Sequence, residues 1–346
     1  METSKLTLRK FVAGALVTLF AIMLLSTFLM PFAFMITTAF KNPEQMSLEG
    51  APVWPAMPVT FTYQGQEYPI VQMPPEMGGN EWALVKKGLK ESYLVDPQNP
   101  DKGLIKWEGR WRTLQPVFRF QPALNNFQLV WDKINFLRLL YNTFAIAVLG
   151  MIGTVLSCTA VAYGFSRFRM PGKSILFMLL ITTIFLPASI TLVPTYAIFT
   201  KIGWVGTWLP LIVPHFFANA YNVFLLRQYF MTIPRELDEA AMMDGAGPLR
   251  TLIFIILPQA WGIVIAVAIF HFVWAWNDFF GPYIYLATKP ELQPISVGMQ
   301  AFNSIYAGQP QLIQMTSLMG LLIPVTLFFL GRRIMMREVV MTGVHR

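Results

Sequence analysis

One cysteine, Cys158, occurs in 346 residues, so an intrachain disulfide and a cysteine-based metal site are both excluded. It lies inside an apolar run, where it reads as a small packing residue. Charge is also scarce: Asp, Glu, Lys and Arg make up 13% of the chain, against about 25% in soluble globular domains. There are three histidines, no His-Glu-x-x-His and no serine–histidine motif, which leaves the usual hydrolytic chemistries without their groups. Gly172-Lys173-Ser174 resembles the end of a phosphate-binding loop, but Arg167 stands where that motif needs its first glycine. No catalytic residue, metal site or bound cofactor is therefore expected in this chain.

What the chain has is apolar length. It is 55% hydrophobic, with a positive mean hydropathy, and several runs exceed the roughly 20 apolar residues that cross a bilayer. The net charge of +8 is assigned to basic residues collected at cytoplasmic membrane edges, and no nucleic-acid partner is expected. The fold class expected is an all-α polytopic membrane protein with six transmembrane helices and a small β-rich extracytoplasmic insertion.

In chain order, Lys5, Arg9 and Lys10 precede an uncharged run from Phe11 to Phe40. That run is far longer than a signal-peptide apolar core and no small-residue cleavage site closes it, so residues 1–40 are read as a cytoplasmic tail and a retained first span. Residues 41–138 turn polar, with short alternating segments at Phe61–Tyr63, Trp82–Val85, Tyr93–Val95, Leu104–Trp107 and Val117–Phe120 that read as strands. Gly65, Gly78-Gly79 and Gly88 mark turns between them. Apolar runs follow at 139–165, 175–199, 209–226, 259–286 and 312–330, within a five-helix membrane core taken as 139–331, and residues 332–346 form a tail. Pro187 and Pro194 place the third run inside the bundle, where freed carbonyls find partners. Lys and Arg gather on the N-terminal segment, the Arg167 loop, the loop around Glu239 and the C-terminal tail, which places both termini in the cytoplasm of a cell whose inner membrane the chain crosses. Asn219, Asn222, Asn277 and Asp278 are polar groups within or at the ends of apolar runs, so they must face protein or water. They are candidates for a solute pathway.

Residues 228–258 form the one polar interruption in the second half of the core. Pro234 fits the first turn of a short helix, Glu236, Asp238 and Glu239 lie near its positive end, and Gly245 can adopt the left-handed backbone that ends it. Leu237, Ala240 and Ala241 fall on one narrow face, and Pro248 can open a second short helix. Physics alone is also met by an ordinary amphipathic interfacial turn.

The spacing narrows the choice. Glu239-Ala240-Ala241, three residues, Gly245, nine residues, Ile255, one residue, Leu257-Pro258 resembles the cytoplasmic-loop signature of permease subunits of binding-protein-dependent ABC importers. Lys41-Asn42-Pro43-Glu44, Asn126-Phe127, Asn142-Thr143, Pro187 with Pro194-Thr195-Tyr196, and Trp276-Asn277-Asp278 are similar to the carbohydrate-type, maltose-permease-like second subunit. The resemblance covers most of residues 1–50 and 120–346. Residues 51–119 exceed the family's usual loop, and the Gly343-containing terminus matches only loosely. The resemblance implies that Glu239, Ala240, Ala241, Asp244, Gly245 and Pro258 belong to a coupling helix and its flank, docking on a separate ATPase that binds ATP and Mg. It further implies a homologous permease partner in a heterodimer, two ATPase subunits, an extracytoplasmic solute-binding protein and a sugar or oligosaccharide as solute. Trp274, Trp276, Asn277 and Asp278 combine the aromatic, amide and carboxylate groups that sugars favour, and they suit an interfacial aromatic belt equally well. The rival function is a proton-coupled secondary transporter relaying through His215, His271 and Asp278.

Overall fold

The computed structural model describes the backbone of residues 2–48, 50–74, 80–303 and 308–342, and within these ranges side chains from 11 to 332 apart from 188 and 189. The turn expected at Gly78-Gly79 and the tail from Gly343 onward lie outside the described residues. The chain divides into two compact units, Met1–Val130 with Phe302–Leu318, and Trp131–Ala301 with Met319–Arg346.

In the first unit, α1 (Glu2–Ala39) runs through Pro31, and large apolar side chains such as Phe11, Phe20, Phe28 and Met30 are exposed along it. A helix apolar all round is one that needs lipid or another protein about it. Its end is fastened by buried carboxamides. Asn126 Nδ2, on α3 (Asn125–Lys133), donates to the carbonyls of Ala39 at 2.8 Å and Lys41 at 2.9 Å. Gln45, on α2 (Pro43–Ser47), donates to Pro52 O and Trp54 O and accepts from Ala56 N.

Between these, among the described residues, lie eight short strands: β1 (Ala56–Pro58), β2 (Thr60–Tyr63), β3 (Gln66–Gln72), β4 (Glu81–Lys86), β5 (Glu91–Val95), β6 (Ile105–Glu108), β7 (Gln115–Pro116) and β8 (Phe118–Phe120). β2 to β6 form an antiparallel meander, β7 pairs with β3, and β1 pairs with β8. The β2–β3 turn is Gln64-Gly65, both at positive φ, +49° and +79°, the geometry whose twist matches a tight hairpin. Val71, Met73, Leu84, Leu94, Trp107 and Leu114 fill its core. The five expected strands are present. β3, the longest, was not expected, and it carries Pro69, a residue uncommon inside strands. Its missing N–H is compatible with the sheet because Ile70 carries the link to Val59 O instead.

The second unit is built on α4 (Phe136–Arg167). Along it Ala147, Gly150, Thr154, Cys158, Ala162 and Ser166 are buried at three- and four-residue spacing. This ridge of small side chains lets neighbouring helices approach closely. Packed there are α8 (Ala220–Thr232) and α12 (Trp261–Asn277), sharing a core of Cys158, Ala162, Val223, Leu226, Phe230, Ile256, Val264 and Val267.

Three expected spans are less regular than their hydropathy. The third run is two arms, Lys173–Phe185 and Ile190–Lys201, meeting at 99°, so α5 (Lys173–Thr182) and α6 (Ala188–Lys201) do not form one straight helix. Leu186 precedes Pro187 and is held extended, at ψ 113°. The fourth begins as α7 (Leu209–Ile212), passes through a 3₁₀ turn at Val213–Phe216, and becomes helical again in α8. The fifth does not reach Leu286: α12 stops at Asn277, and α13 (Phe280–Tyr285) is a separate helix. Beyond it α14 (Ile295–Gly298) packs on α4, and α15 (Pro310–Thr342) carries the last span. Among the described residues four helices are long and apolar enough to cross a membrane, and up to six spans result if each of two bent pairs is one.

Candidate functional site

Two places draw together the residues singled out above. The first is the loop after α8. Ile233 caps α8 in extended backbone, Pro234 follows outside any helix, and α9 (Glu236–Met243) starts just past Arg235. Pro234 thus precedes the helix and does not sit in its first turn. Glu236, Asp238 and Glu239 do occupy that turn, where the helix dipole favours carboxylates. α9 closes on Gly245 at φ +78°, with Ala246 N donating to Ala241 O at 2.9 Å and Gly245 N to Met242 O at 3.0 Å. These are the paired bonds of a Schellman end, which a left-handed residue at Gly245 makes possible. Pro248 then opens α10 (Pro248–Thr251), followed by a π-helical turn at Leu252–Ile256 and α11 (Leu257–Gln259). Pro258 has no N–H to return to Phe254 O, and the widened turn accommodates that loss. At Ala260 the chain bends by 85° into α12.

α9 turns one narrow side toward the rest of the chain. Asp238 and Ala241 point inward, whereas Leu237, Glu239, Ala240, Met242 and Asp244 are exposed. Met243 is 89% exposed and Leu249 70%, so apolar side chains stand out from an otherwise polar loop. Sequence reasoning passed over both. Their only signal was apolar character between charged neighbours in a segment too short to enter lipid.

Asp238 faces Arg167, the last residue of α4, with Oδ2 3.0 Å from Nε and the two side chains 14% and 7% exposed. The approach is off hydrogen-bond alignment, leaving Nε and both carboxylate oxygens without a bonded partner. The attraction is therefore Coulombic. Arg167 Nη2 donates instead to Ile233 O at 3.0 Å. Burial pushes the Asp238 carboxyl above its ordinary range. Arg167 and Arg235 offset this only in part, and Glu239 adds to it.

The second place lies between α4, α8 and α12. His215 and His271 meet edge to face with ring centroids 4.5 Å apart, and Trp274 lies 5.6 and 5.7 Å from them. Thr154 Oγ1 is 3.1 Å from His271 Nδ1, and Ser157 Oγ donates to His215 O. Asn219 caps α8 by accepting from Asn222 N at 2.9 Å. His215, Asn219, Tyr221, Asn222, Phe270, His271 and Trp274 line a cavity of about 480 Å³ that contains no charged lining group. Asp278 lines a smaller neighbouring cavity of about 170 Å³ with His215 and Trp274, and its Oδ1 accepts from Gly281 N. Asn277 bonds back to Val273 O in its own helix and lines a shallower hollow beside Asp278. Trp276 is buried against Phe272. Asn219 and Asn222 are thus brought together with both histidines, Asp278 and Asn277 lie in adjoining hollows, and Trp276 is part of the packing.

A bundle of broken and bent spans with a capped helical loop between the fourth and fifth defines a polytopic membrane transport subunit. The chain belongs to the family described as binding-protein-dependent transport system inner membrane component, whose model matches residues 153–337. It is accordingly a non-catalytic, multi-pass permease of an ABC transporter, a system that includes a periplasmic binding protein and an ATPase. Among similar proteins, the osmoprotective compounds uptake permease protein GgtD of Synechocystis sp. is 26% identical over 264 residues, 76% of this chain and 87% of that protein. The sn-glycerol-3-phosphate transport system permease protein UgpE of Rhizobium meliloti is 30% identical over 207 residues, covering 59% and 73%. In fold the chain is similar to a subunit in the crystal structure of a bacterial ABC transporter involved in the import of the acidic polysaccharide alginate, with TM-score 0.64, 17% identity and coverage of 93% and 95%. Family membership sets aside the proton-coupled secondary transporter, and the histidine pair is left for another role.

Proposed function

We propose that this chain is one of two homologous permeases in a sugar or oligosaccharide importer, with both termini cytoplasmic and residues 228–258 docking on one of two ATPase subunits that hold ATP and Mg. Glu239, Ala240, Asp244 and Gly245 shape the exposed side of the loop, Ala241 its inner side, and Pro258 the turn behind it. Met243 and Leu249 supply apolar contacts of the kind that anchor interfaces. ATP-driven closure displaces the loop, and the rigid helices behind it rock between inward- and outward-facing arrangements.

The solute pathway passes Asn219 and Asn222 with His215, His271 and Trp274, and then Asn277 and Asp278, with Trp276 bracing the wall. The observation that carries the solute class is the lining of the larger cavity: two imidazoles, two carboxamides, a phenol and an indole, without lysine or arginine. Such a lining offers hydrogen bonds and stacking to a neutral polyol and no counter-charge to an anionic one. Vesicles holding the complete transporter and its binding protein should take up an uncharged oligosaccharide or polyol. Uptake confined to a phosphorylated or uronate-bearing solute would sink this assignment.

A further inference from the structure

Arg167 ends α4 and meets two other elements with one guanidinium: Nη2 donates to Ile233 O, the residue capping α8, and Nε stands 3.0 Å from Asp238 Oδ2 in the first turn of α9. α4 and α8 are already joined through Cys158, Ala162, Val223 and Leu226. The loop also meets this core through the apolar side chains of Ala241, Leu252 and Ile256, whose contacts are non-directional, and at its far end Tyr229 Oη donates to Gln259 O at 3.0 Å. The Arg167 guanidinium adds a hydrogen bond to Ile233 O and an electrostatic attraction to the Asp238 carboxylate, so one side chain holds the loop at two points. We propose that Arg167 is a positioning residue which, with Asp238, locks the coupling loop to α4 and α8 so that displacement of the loop moves both helices as one body.

Stability does not account for the pair. It is buried, lies off hydrogen-bond alignment, and its carboxyl resists ionisation because burial outweighs the neighbouring guanidinium groups. A buried pair of that kind is commonly matched or bettered by apolar side chains of similar volume. Its contribution is a tether between moving parts. The inference rests on the reading of residues 228–258 as the ATPase-docking loop.

The test uses the complete transporter in vesicles, comparing wild type with Arg167→Met combined with Asp238→Leu, and with Arg167→Lys. Subunit stoichiometry, Tm, basal ATP hydrolysis and solute delivered per ATP are measured together. The double variant is expected to keep its ATPase complement, basal hydrolysis and a Tm equal to or above wild type, while solute delivered per ATP falls about tenfold. Arg167→Lys keeps the charge but reaches one partner at a time, and falls between. An unchanged ratio overturns the proposal, as does a ratio that falls only in step with Tm or with loss of ATPase subunits. Failure of the docking-loop reading looks different: Gly245→Val would then retain full ATPase association and stimulation.

Discussion

His271 lies edge-on to His215, and Gly150 of α4 makes the space for both: a Cβ there would stand 3.0 Å from His271 Nε2 and 3.1 Å from His215 Cδ2. The two rings come from different spans, so the cavity they border depends on how closely α4 is approached. Gly150→Val is expected to push the imidazoles into the cavity at an overpacking cost of roughly 1–3 kcal/mol. Transport should fall with ATPase association intact. Equal losses in transport and in assembled complex would assign Gly150 to helix packing alone.

At the loop, Gly245→Val forces a branched side chain into the left-handed region at φ +78°, which costs roughly 1–2 kcal/mol. The Schellman bonds of α9 should loosen and tilt α10. Copurification is the measurement: the ATPase should be depleted while the partner permease remains. Met243→Glu, on a side chain that touches little of its own chain, should reproduce the depletion without changing Tm. A full ATPase complement in both variants would return the loop to an interfacial turn.

Asn142 Nδ2 donates to Glu291 O and Gln293 O, each at 2.9 Å, and pins the segment before α14 to the start of α4. Asn142→Ala leaves the two carbonyls without this donor, for roughly 1–3 kcal/mol of stability. Asn142→Asp sets a carboxylate against two carbonyl oxygens and should cost more. Thermal melting of the purified protein in detergent would show this order. A reversed order would mean that the carbonyls find water instead.

Topology can be read with reporters placed at Gly172, a turn at φ +70°, and between Pro97 and Pro100. The first should report cytoplasm and the second the external side, following the basic residues of the short loops. An external signal at Gly172 would invert every loop assignment, including the one that docks the ATPase.

Much of the architecture was legible because it is written locally. Run length gives span positions, and short β-branched and aromatic segments bounded by turn residues give most strands of the insertion. Gly245 was expected at positive φ because glycine ends a helix there at least steric cost, and the spacing from Glu239 to Pro258 carried the family. Local rules reached less far elsewhere. β3 went unread, and spacing alone cannot say which side of a short helix such as α9 the rest of the chain covers.

The sequence by itself determined a multi-pass permease with a capped loop between its fourth and fifth spans, because hydropathy, helix capping and motif spacing act over at most about 20 residues. Only the tertiary structure decided which polar groups meet. His271 reaches Thr154 across 117 positions, and Arg167 meets Asp238 because α4 and α8 end at the same level. The small-residue ridge of α4 sets those distances by letting the helices close together, and that proximity has no signature along the chain.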